Sequence, residues 1–341
     1  YYYQEPERTS RGEPVTLTAE DEQIISELYD PKNGEFIPER SLILILVESL
    51  EPWALDAKGK DGSWVMPNLR EFIDNNNTFV ATNMQAMIVQ GCSSDGQLMS
   101  ITGLAPINKG ITVTLYGEQR FPNYAHYYPS SRTVNPSPGS WRQPVVNPNY
   151  GIKILEESDT VFNDEGVFRR MQSIKMDTVS FVFLITESSH VPFNVADMVK
   201  YDIDPAMPEK VAKYLKCMHY MDEQFGTLLK RFKESEELRN CDIVITGDHS
   251  IMSEADIRET KTYTEKCGKT IANLEFGQIP LILYSPTLRE SKVYEQQCLQ
   301  VDIYPTILGL IGCESPQWKG VGMNLLDSVP RRVTIEQAYK L

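Results

Sequence analysis

Three polar segments of the sequence carry the residue types that a metal-assisted reaction on an ester requires. Glu48 and the pair Asp248-His249 each follow an apolar run, and Ser93 lies in a small-residue turn at 91–96. Two carboxylates and one imidazole suit Mn²⁺, Mg²⁺ or Zn²⁺, and a hydroxyl oxygen would complete the shell. We therefore predict one divalent ion, with Mn²⁺ preferred. Its predicted ligands are Glu48, Ser93, Asp248 and His249.

Ser93 is the predicted nucleophile because it precedes a helical pattern. A serine at a helix start gains from the helix dipole, and a bound metal lowers the pKa of its hydroxyl group. The free backbone amides of the first turn are expected to bind the oxygens of a tetrahedral anion. Ser94 or Asp95 is expected to cap the helix, which is the commonest use of such residues at this position.

Each candidate also has an ordinary structural interpretation. A lone glutamate at a strand end is more often a salt-bridge partner, but the position of Glu48 directly after a fully apolar run favours a ligand. Asp248 could cap a helix, but Gly-Asp-His after four apolar residues favours a metal pair. Cys92 is the rival nucleophile, or else a small buried residue or half of a disulfide. We favour Ser93, since carboxylate and imidazole ligands accompany an oxygen partner better than a thiolate.

The remaining histidines are less constrained. His190 follows residues 186–189 at the end of another apolar run, where it could donate to a substrate oxygen or to the leaving group, or merely bond its own loop. His219 lies in an amphipathic pattern and is expected to be structural. His126 lies among tyrosines, and no spacing supports a role for it.

The elements that must position these residues alternate along the chain. Buried apolar runs predict strands, and patterns with helical period lie between them. This alternation predicts a parallel sheet covered on both faces, with the site beyond the carboxyl ends of its strands. The predicted strands are 41–47, 179–185, 242–246 and 280–284. The predicted helices are 66–74, 94–102, 164–171, 208–235 and 301–311.

The domain organisation is also predicted from the composition along the chain. Residues 1–40 are predicted to be a polar lead-in with a short helix at about 19–28. Residues 41–330 form the predicted catalytic domain, and 331–341 a tail. The stretch at about 107–150 is rich in Pro, Asn, Ser and Tyr and is predicted to be long loops around the pocket.

Composition limits the possible partners. The chain has 341 residues, which predicts one main core, and its net charge of −14 argues against a nucleic-acid or polybasic membrane surface. Positive charge for an anionic substrate would have to come from a metal. The six cysteines show no C-x-x-C spacing. The apolar run Leu42–Val47 is too short to cross a bilayer, and we expect this chain to be part of a longer one.

Several ordered motifs resemble the sulfatase-like branch of the alkaline phosphatase superfamily, most closely the lipoteichoic acid synthase group, over about 41–326. They include Val-Glu-Ser at 47–49, Met-Pro-Asn-Leu at 66–69 and the Ser93 turn followed by Thr-Gly-Leu at 102–104. Further motifs are found at 187–192, 220–222, 247–249, 301–306 and 320–322. The resemblance implies an alkaline-phosphatase-like α/β core with a mostly parallel sheet flanked by helices and a small C-terminal lobe.

The resemblance also implies roles for individual residues. Ser93 would become covalently phosphorylated, His190 would face the substrate, and Glu48, Asp248 and His249 would hold the metal ion with Ser93. Trp141, Arg142 and Gln143 would contact the substrate head group. It further implies a phospholipid or glycan-type anionic ester substrate, and an extracytoplasmic enzyme anchored by N-terminal membrane helices absent from this sequence.

Competing functions remain open. Arylsulfatases need Pro or Ala two residues after the modified residue and Arg four residues after it, whereas Ser94 and Gly96 follow Cys92. A conventional arylsulfatase is therefore disfavoured. The resemblance favours a metal-dependent phosphotransferase or phosphodiesterase. The alternatives are a hydrolase of sulfuric or phosphoric esters on the same scaffold, and a catalytically silent glycan- or lipid-binding domain of the cell envelope. The silent domain would be expected to lack a ligand or the nucleophile, and all four are present.

Overall fold

The computed structural model describes residues 19, 20, 23, 36–121, 123–137, 139–158, 163–313 and 320–327. These residues form one α/β core around a nine-stranded sheet. Its strands are β1 Leu42–Val47, β2 Thr78–Gln85, β3 Ser130–Asn135, β4 Ile154–Glu157, β5 Ser180–Ile185, β6 Asp242–Gly247, β7 Gln278–Tyr284, β8 Lys292–Tyr294 and β9 Cys298–Leu299.

The helices cover both faces of this sheet. They are α1 Pro67–Asp74, α2 Ser93–Thr102, α3 Thr112–Tyr116, α4 Gln143–Asn149, α5 Asp164–Ser173, α6 Glu209–Glu234, α7 Glu236–Arg239, α8 Glu254–Lys266 and α9 Ile303–Leu310. Short 3₁₀ helices are found at Pro52–Asp56, Tyr124–Tyr127, Ser140–Arg142 and Gln300–Asp302.

The sheet order is β4-β3-β5-β1-β6-β7-β2-β8, with β9 also paired to β2. β7 runs antiparallel to both of its neighbours, and the other pairings are parallel. The predicted mostly parallel sheet flanked by helices is confirmed. β8 and β9 pair with β2 in this same sheet, and α9 packs into the hydrophobic core on one of its faces, so a separate C-terminal lobe stays a prediction.

The central position of β1, buried on both faces of the sheet, explains why its sequence is apolar throughout. Side chains alternate across a strand, so Ile43 and Ile45 enter one hydrophobic core while Leu44 and Leu46 enter the other. α1, α5 and α6 pack on the first face, and α2 and α9 on the second. With both faces covered, the polar residues lie just outside the strand, at Ser41 before it and Glu48 after it.

The four predicted strands and five predicted helices are present, with ends shifted by up to two residues. The prediction of long loops at 107–150 is wrong, because this stretch contains α3, β3 and α4. β3 reads Ser-Ser-Arg-Thr-Val-Asn, and it is a strand because its backbone pairs with β5 on one side and β4 on the other. β2 and α8 were also not predicted.

Of the predicted N-terminal helix, Ala19, Glu20 and Gln23 are helical, and the rest lies outside the described residues. The same holds for the predicted tail at 331–341, so the predicted domain boundaries stay predictions. In the described part of the chain, no helix combines the length and the apolar character needed to span a bilayer.

Candidate active site and metal centre

The structure brings Glu48, Ser93, Asp248 and His249 together at the carboxyl edge of the sheet. β1 and β6 are parallel neighbours with Val47 opposite Gly247, so the residues that follow these strands lie side by side. Ser93 is the first residue of α2. All four side chains are at most 8% exposed, so this is an enclosed polar site at the edge of a buried sheet.

The serine hydroxyl lies at the centre of this group. Ser93 Oγ is 3.2 Å from Glu48 Oε2, to which it donates, and 3.2 Å from His249 Nε2. His249 Nε2 is 3.5 Å from Glu48 Oε1 and 3.6 Å from Asp248 Oδ2. The nucleophile predicted from the sequence therefore touches two of the predicted ligands.

Neighbouring groups fix the two carboxylates. The backbone amides of Ser49 and His249 both donate to Asp248 Oδ1, at 2.7 and 2.8 Å. Ser49 Oγ donates to Glu48 Oε1 at 2.7 Å, and the Glu48 amide donates to Thr186 Oγ1 at 3.1 Å. Each acid thus has one oxygen held by the protein and the other oriented toward Ser93 or His249.

The electrostatics of the site favour a bound cation. Burial, and then the nearby Asp248 charge, raise the pKa of Glu48 to about 8. Burial lowers the pKa of His249, but the charges of Asp248 and Glu48 outweigh it and the net shift is upward. In the described part of the chain, His249 is the ion-pair partner of both acids. With both acids ionised, the two buried carboxylates beside one imidazole carry negative charge that a divalent ion would balance.

The donor set also fits such an ion chemically. One ligand atom from each of Glu48, Asp248 and His249 lies within 4.8 Å of the others, and all three residues are buried. Carboxylate oxygens with one ring nitrogen suit Mn²⁺, Mg²⁺ or Zn²⁺. Together with the Ser93 hydroxyl, these residues could hold one divalent ion.

The turn before α2 departs from two expectations. Ser94 and Asp95 do not cap the helix: Ser94 Oγ donates to the Gly91 carbonyl, and Asp95 Oδ2 accepts from the amides of Val89 and Gly91. Both side chains instead brace the loop that leads to Ser93.

The amides of the first turn are also mostly engaged. Those of Ser94, Asp95 and Gly96 donate to the carbonyls of Gly91 and Cys92, at 2.9 to 3.2 Å. The expectation that these three amides bind substrate oxygens is therefore wrong, because the tight turn uses them internally.

The rival nucleophile Cys92 has an unusual backbone. Its φ of 45° lies in the left-handed region, which is costly for a residue with a side chain. Such conformations persist where the surrounding structure imposes them, and here the imposed turn directly precedes Ser93. All six cysteines lie in the described part of the chain, and none forms a disulfide.

His190 lies on the loop after β5. The neighbouring Ser189 hydroxyl donates to the Glu48 carbonyl at 2.5 Å, which ties this loop to the site. His190 itself is exposed, and its Nδ1 contacts the Val191 carbonyl at 2.6 Å. A carbonyl only accepts, so Nδ1 carries a hydrogen, and Nε2 is the nitrogen that can exchange a proton with a ligand.

The residues at 141–143, which are expected to bind the head group, form no hydrogen bond or ion pair with the four clustered residues. Arg142 donates to the Thr114 carbonyl and to Glu118. Gln143 is buried and donates to Gln97 Oε1 at 3.0 Å, one turn along α2 from Ser93. Trp141 is half-buried and packs against the second core. Their role toward a substrate stays a prediction.

Sequence reasoning missed the residues that hold the ligands in place. Gln300 Nε2 donates to the Asp248 carbonyl at 2.6 Å. Glu51 Oε1 accepts from Ser250 Oγ and from the amides of Ile251 and Met252, directly after His249. A single sequence gives no local signal for Gln300, whereas Glu51 could have been suspected as a second acid just past β1.

Comparison with known proteins places this geometry in a family context. The family model described as Sulfatase matches residues 40–313. Lipoteichoic acid synthase 2 of Bacillus subtilis is 23% identical over 334 residues, covering 89% of this chain and 50% of that protein. The chain therefore spans about half the length of the curated relatives that it matches.

Two solved structures share the fold. The lipoteichoic acid synthase LtaP from Listeria monocytogenes superposes with a TM-score of 0.77 at 18% identity, covering 95% of this chain and 85% of that one. The Streptococcus pyogenes phosphoglycerol transferase GacH in complex with sn-glycerol-1-phosphate gives a TM-score of 0.58 at 14% identity, covering 86% and 78%.

Proposed function

The chain belongs to the sulfatase family of alkaline-phosphatase-like enzymes, and we propose that it is a metal-dependent phosphotransferase or phosphodiesterase acting through a phosphoseryl intermediate at Ser93. One observation carries the proposal. Ser93 Oγ lies 3.2 Å from both Glu48 and His249 at the start of a ten-residue helix. A hydroxyl between an acid and an imidazole, beside a second acid, is arranged for metal-assisted nucleophilic attack.

In the proposed first step, Ser93 Oγ bonds to the phosphorus of a phosphodiester and the bond from phosphorus to the leaving alcohol breaks. Glu48 Oε2 accepts the hydroxyl hydrogen of Ser93 and is the nearest carboxylate to receive that proton. His190 Nε2 is the candidate to protonate the leaving oxygen, since its Nδ1 is engaged with Val191.

In the second step, His190 Nε2 takes the proton of an acceptor alcohol or of water as its oxygen attacks phosphorus, the bond to Ser93 Oγ breaks, and Glu48 returns the proton to the Ser93 hydroxyl. A divalent ion held by Glu48, Ser93, Asp248 and His249 would lower the hydroxyl pKa and balance negative charge on the phosphoryl oxygens.

The proposed substrates are phospholipid head groups or phosphoesters of the cell envelope. The relatives named as lipoteichoic acid synthase and phosphoglycerol transferase support this class, although the chain matches only about half of the former. Because such donors reside in membranes, we propose that the enzyme works at the extracytoplasmic face, attached through an N-terminal region outside this sequence.

The test uses the purified chain with Mn²⁺, Mg²⁺ or Zn²⁺ and three substrates: bis(para-nitrophenyl) phosphate, phosphatidylglycerol vesicles and para-nitrophenyl sulfate. We expect metal-dependent turnover of the phosphodiesters. Removal of an attacking serine typically costs on the order of 10⁶-fold in kcat, so Ser93→Ala should be inactive. Cys92→Ala should keep most of the activity. Turnover of the sulfate alone would favour the ester-hydrolase alternative.

A further inference from the structure

The carboxamide of Gln300 bridges two parts of the site that are far apart in the sequence, near Met87 and Asp248. Its Nε2 donates to the Asp248 carbonyl at 2.6 Å, and its Oε1 accepts from the Met87 amide at 2.9 Å. Gln300 is fully buried, so water cannot substitute for either bond.

Gln300 is itself fixed from behind. It opens the 3₁₀ helix after β9, and Leu299 pairs with Gln85 of β2. The Asp302 carboxylate accepts from the amides of Leu299 and Met323, at 2.8 and 2.9 Å, which pins both ends of this short segment. The carboxamide therefore projects from a rigid base.

The two backbone groups that Gln300 binds belong to the segment before Ser93 and to the candidate ligand Asp248. Met87 begins the segment 87–92 that connects β2 to Ser93, and Asp95 holds the rest of that segment through the amides of Val89 and Gly91. At the other end, the Asp248 carbonyl belongs to a candidate ligand at the end of β6.

A second contact closes the arrangement. A Cβ added to Gly96 would lie 2.4 Å from the Asp248 carbonyl oxygen, so α2 packs with its bare backbone against the same peptide group. The Asp248 peptide thus lies between α2, which begins with Ser93, and Gln300, whose side chain binds the Met87 amide in the loop before Ser93.

We infer that Gln300 is a positioning residue that sets the placement of Ser93 relative to the Asp248 ligand. The inference rests on the proposed function, because it assumes that Ser93 attacks and that Asp248 binds the ion. In the inferred role, Gln300 acts through the two backbone groups that it joins, the Met87 amide and the Asp248 carbonyl.

The experiment compares Gln300→Met, which removes both hydrogen bonds, with Gln300→Glu, which keeps the acceptor for Met87 but lacks the amide donor to Asp248. The matched control is Asn123→Leu. Asn123 is an equally buried carboxamide with three hydrogen bonds, but these run to Phe121, Ala125 and Tyr150. For each protein we would measure the Mn²⁺ Kd by calorimetry, kcat and KM at saturating Mn²⁺, and the thermal midpoint.

We expect Gln300→Met to weaken Mn²⁺ binding about 10- to 100-fold, as loss of a ligand's supporting hydrogen bond typically does. At saturating Mn²⁺ its kcat should still be lower by about 10- to 100-fold with little change in KM, since a small misplacement of the nucleophile has that effect. Gln300→Glu should show the same changes at a pH at which the new carboxyl group is ionised, since a carboxylate cannot donate to the Asp248 carbonyl. Asn123→Leu should lower the thermal midpoint and leave kcat and the Kd unchanged.

A Gln300→Met or Gln300→Glu protein with a lowered thermal midpoint but wild-type kcat and Kd would overturn the inference, because the role would then be only structural. If Gln300→Met does not fold, Gln300→Asn decides by the same criterion, since it keeps an uncharged carboxamide but is one methylene too short to reach both the Met87 amide and the Asp248 carbonyl. Failure of the proposed function would look different: the wild-type chain would bind Mn²⁺ without turning over a phosphodiester, and the Kd comparison would still test whether Gln300 positions Asp248.

Discussion

At the residue scale, the site holds two buried carboxyl groups whose negative charges repel each other. Glu48 is buried beside Asp248, and its folded-state pKa of about 8 exceeds the ordinary 4.5. Between about pH 4.5 and 8, the Glu48 carboxyl group of the metal-free folded protein therefore holds a proton that the same group has lost in the unfolded chain. The stabilisation from that proton is complete below about pH 4.5 and is lost as the pH rises through about 8. The raised pKa of His249 acts in the same direction.

This titration predicts a pH-dependent metal affinity. An ion must displace the proton from Glu48, so the Mn²⁺ Kd should fall as the pH rises from 6 to about 8, with proton release on binding in that window. Calorimetry in buffers of different ionisation enthalpy measures the released protons. In Glu48→Gln the release should decrease, because only His249 still titrates there. Equal proton release by the two proteins would show that Glu48 is not the displaced group.

Glu48 and Asp248 could be proposed as ligands from the sequence because each directly follows a fully buried strand. Ser93 could be proposed because it precedes a helical pattern. The use of the first-turn amides could not be predicted, because their pairing with Gly91 and Cys92 depends on the left-handed backbone of Cys92. No residue pattern announces that conformation at a cysteine.

At the element scale, the close approach of α2 to the end of β6 determines the distance from Ser93, the proposed nucleophile, to the proposed ligands Asp248 and His249. Gly96 permits it, because its missing side chain leaves room for the Asp248 carbonyl. The helix and the strand can then bring Ser93 and His249 within 3.2 Å of each other.

Gly96→Ala should separate these elements. We expect a loss of about 1–3 kcal/mol in the free energy of unfolding, as for other overpacked sites. kcat should fall on the order of 10²-fold, since the nucleophile would be misplaced. Denaturant unfolding and phosphodiester turnover measure the two effects. Gly139→Ala is the control, because Gly139 has open space around it and a φ of −75°. Wild-type kcat in Gly96→Ala would contradict this account of α2.

One motif of the family resemblance is explained at this scale by folding and not by chemistry. Asp222 accepts from the amides of Asn68 and Leu69 at 2.9 and 2.7 Å, so α6 caps the start of α1.

β3 could not be predicted from its own residues, because its strand structure depends on a distant partner. Its polar sequence becomes a strand through backbone pairing with β5, and that partner lies about fifty residues further along the chain.

At the scale of the whole molecule, residues separated by about two hundred positions assemble only when the sheet forms. Glu48 and Asp248 meet because β1 and β6 are neighbours, although most of the domain lies between them in sequence. The alternation of strands and helices predicted such a parallel sheet. It could not predict the antiparallel β7 or the strand order, since neither leaves a local pattern.

The central claim is that Ser93 forms a covalent bond to phosphorus, and detecting that adduct tests it most directly. The chain would be mixed with Mn²⁺ and a phosphodiester, quenched in neutral denaturant to preserve both oxygen and sulfur esters of phosphate, digested, and mapped by tandem mass spectrometry. We predict a phosphoryl group that still carries the ester substituent retained from the donor, attached to Ser93 in the wild-type chain and in Cys92→Ala, and none in Ser93→Ala. An adduct on Cys92, or sustained turnover by Ser93→Ala, would contradict the account.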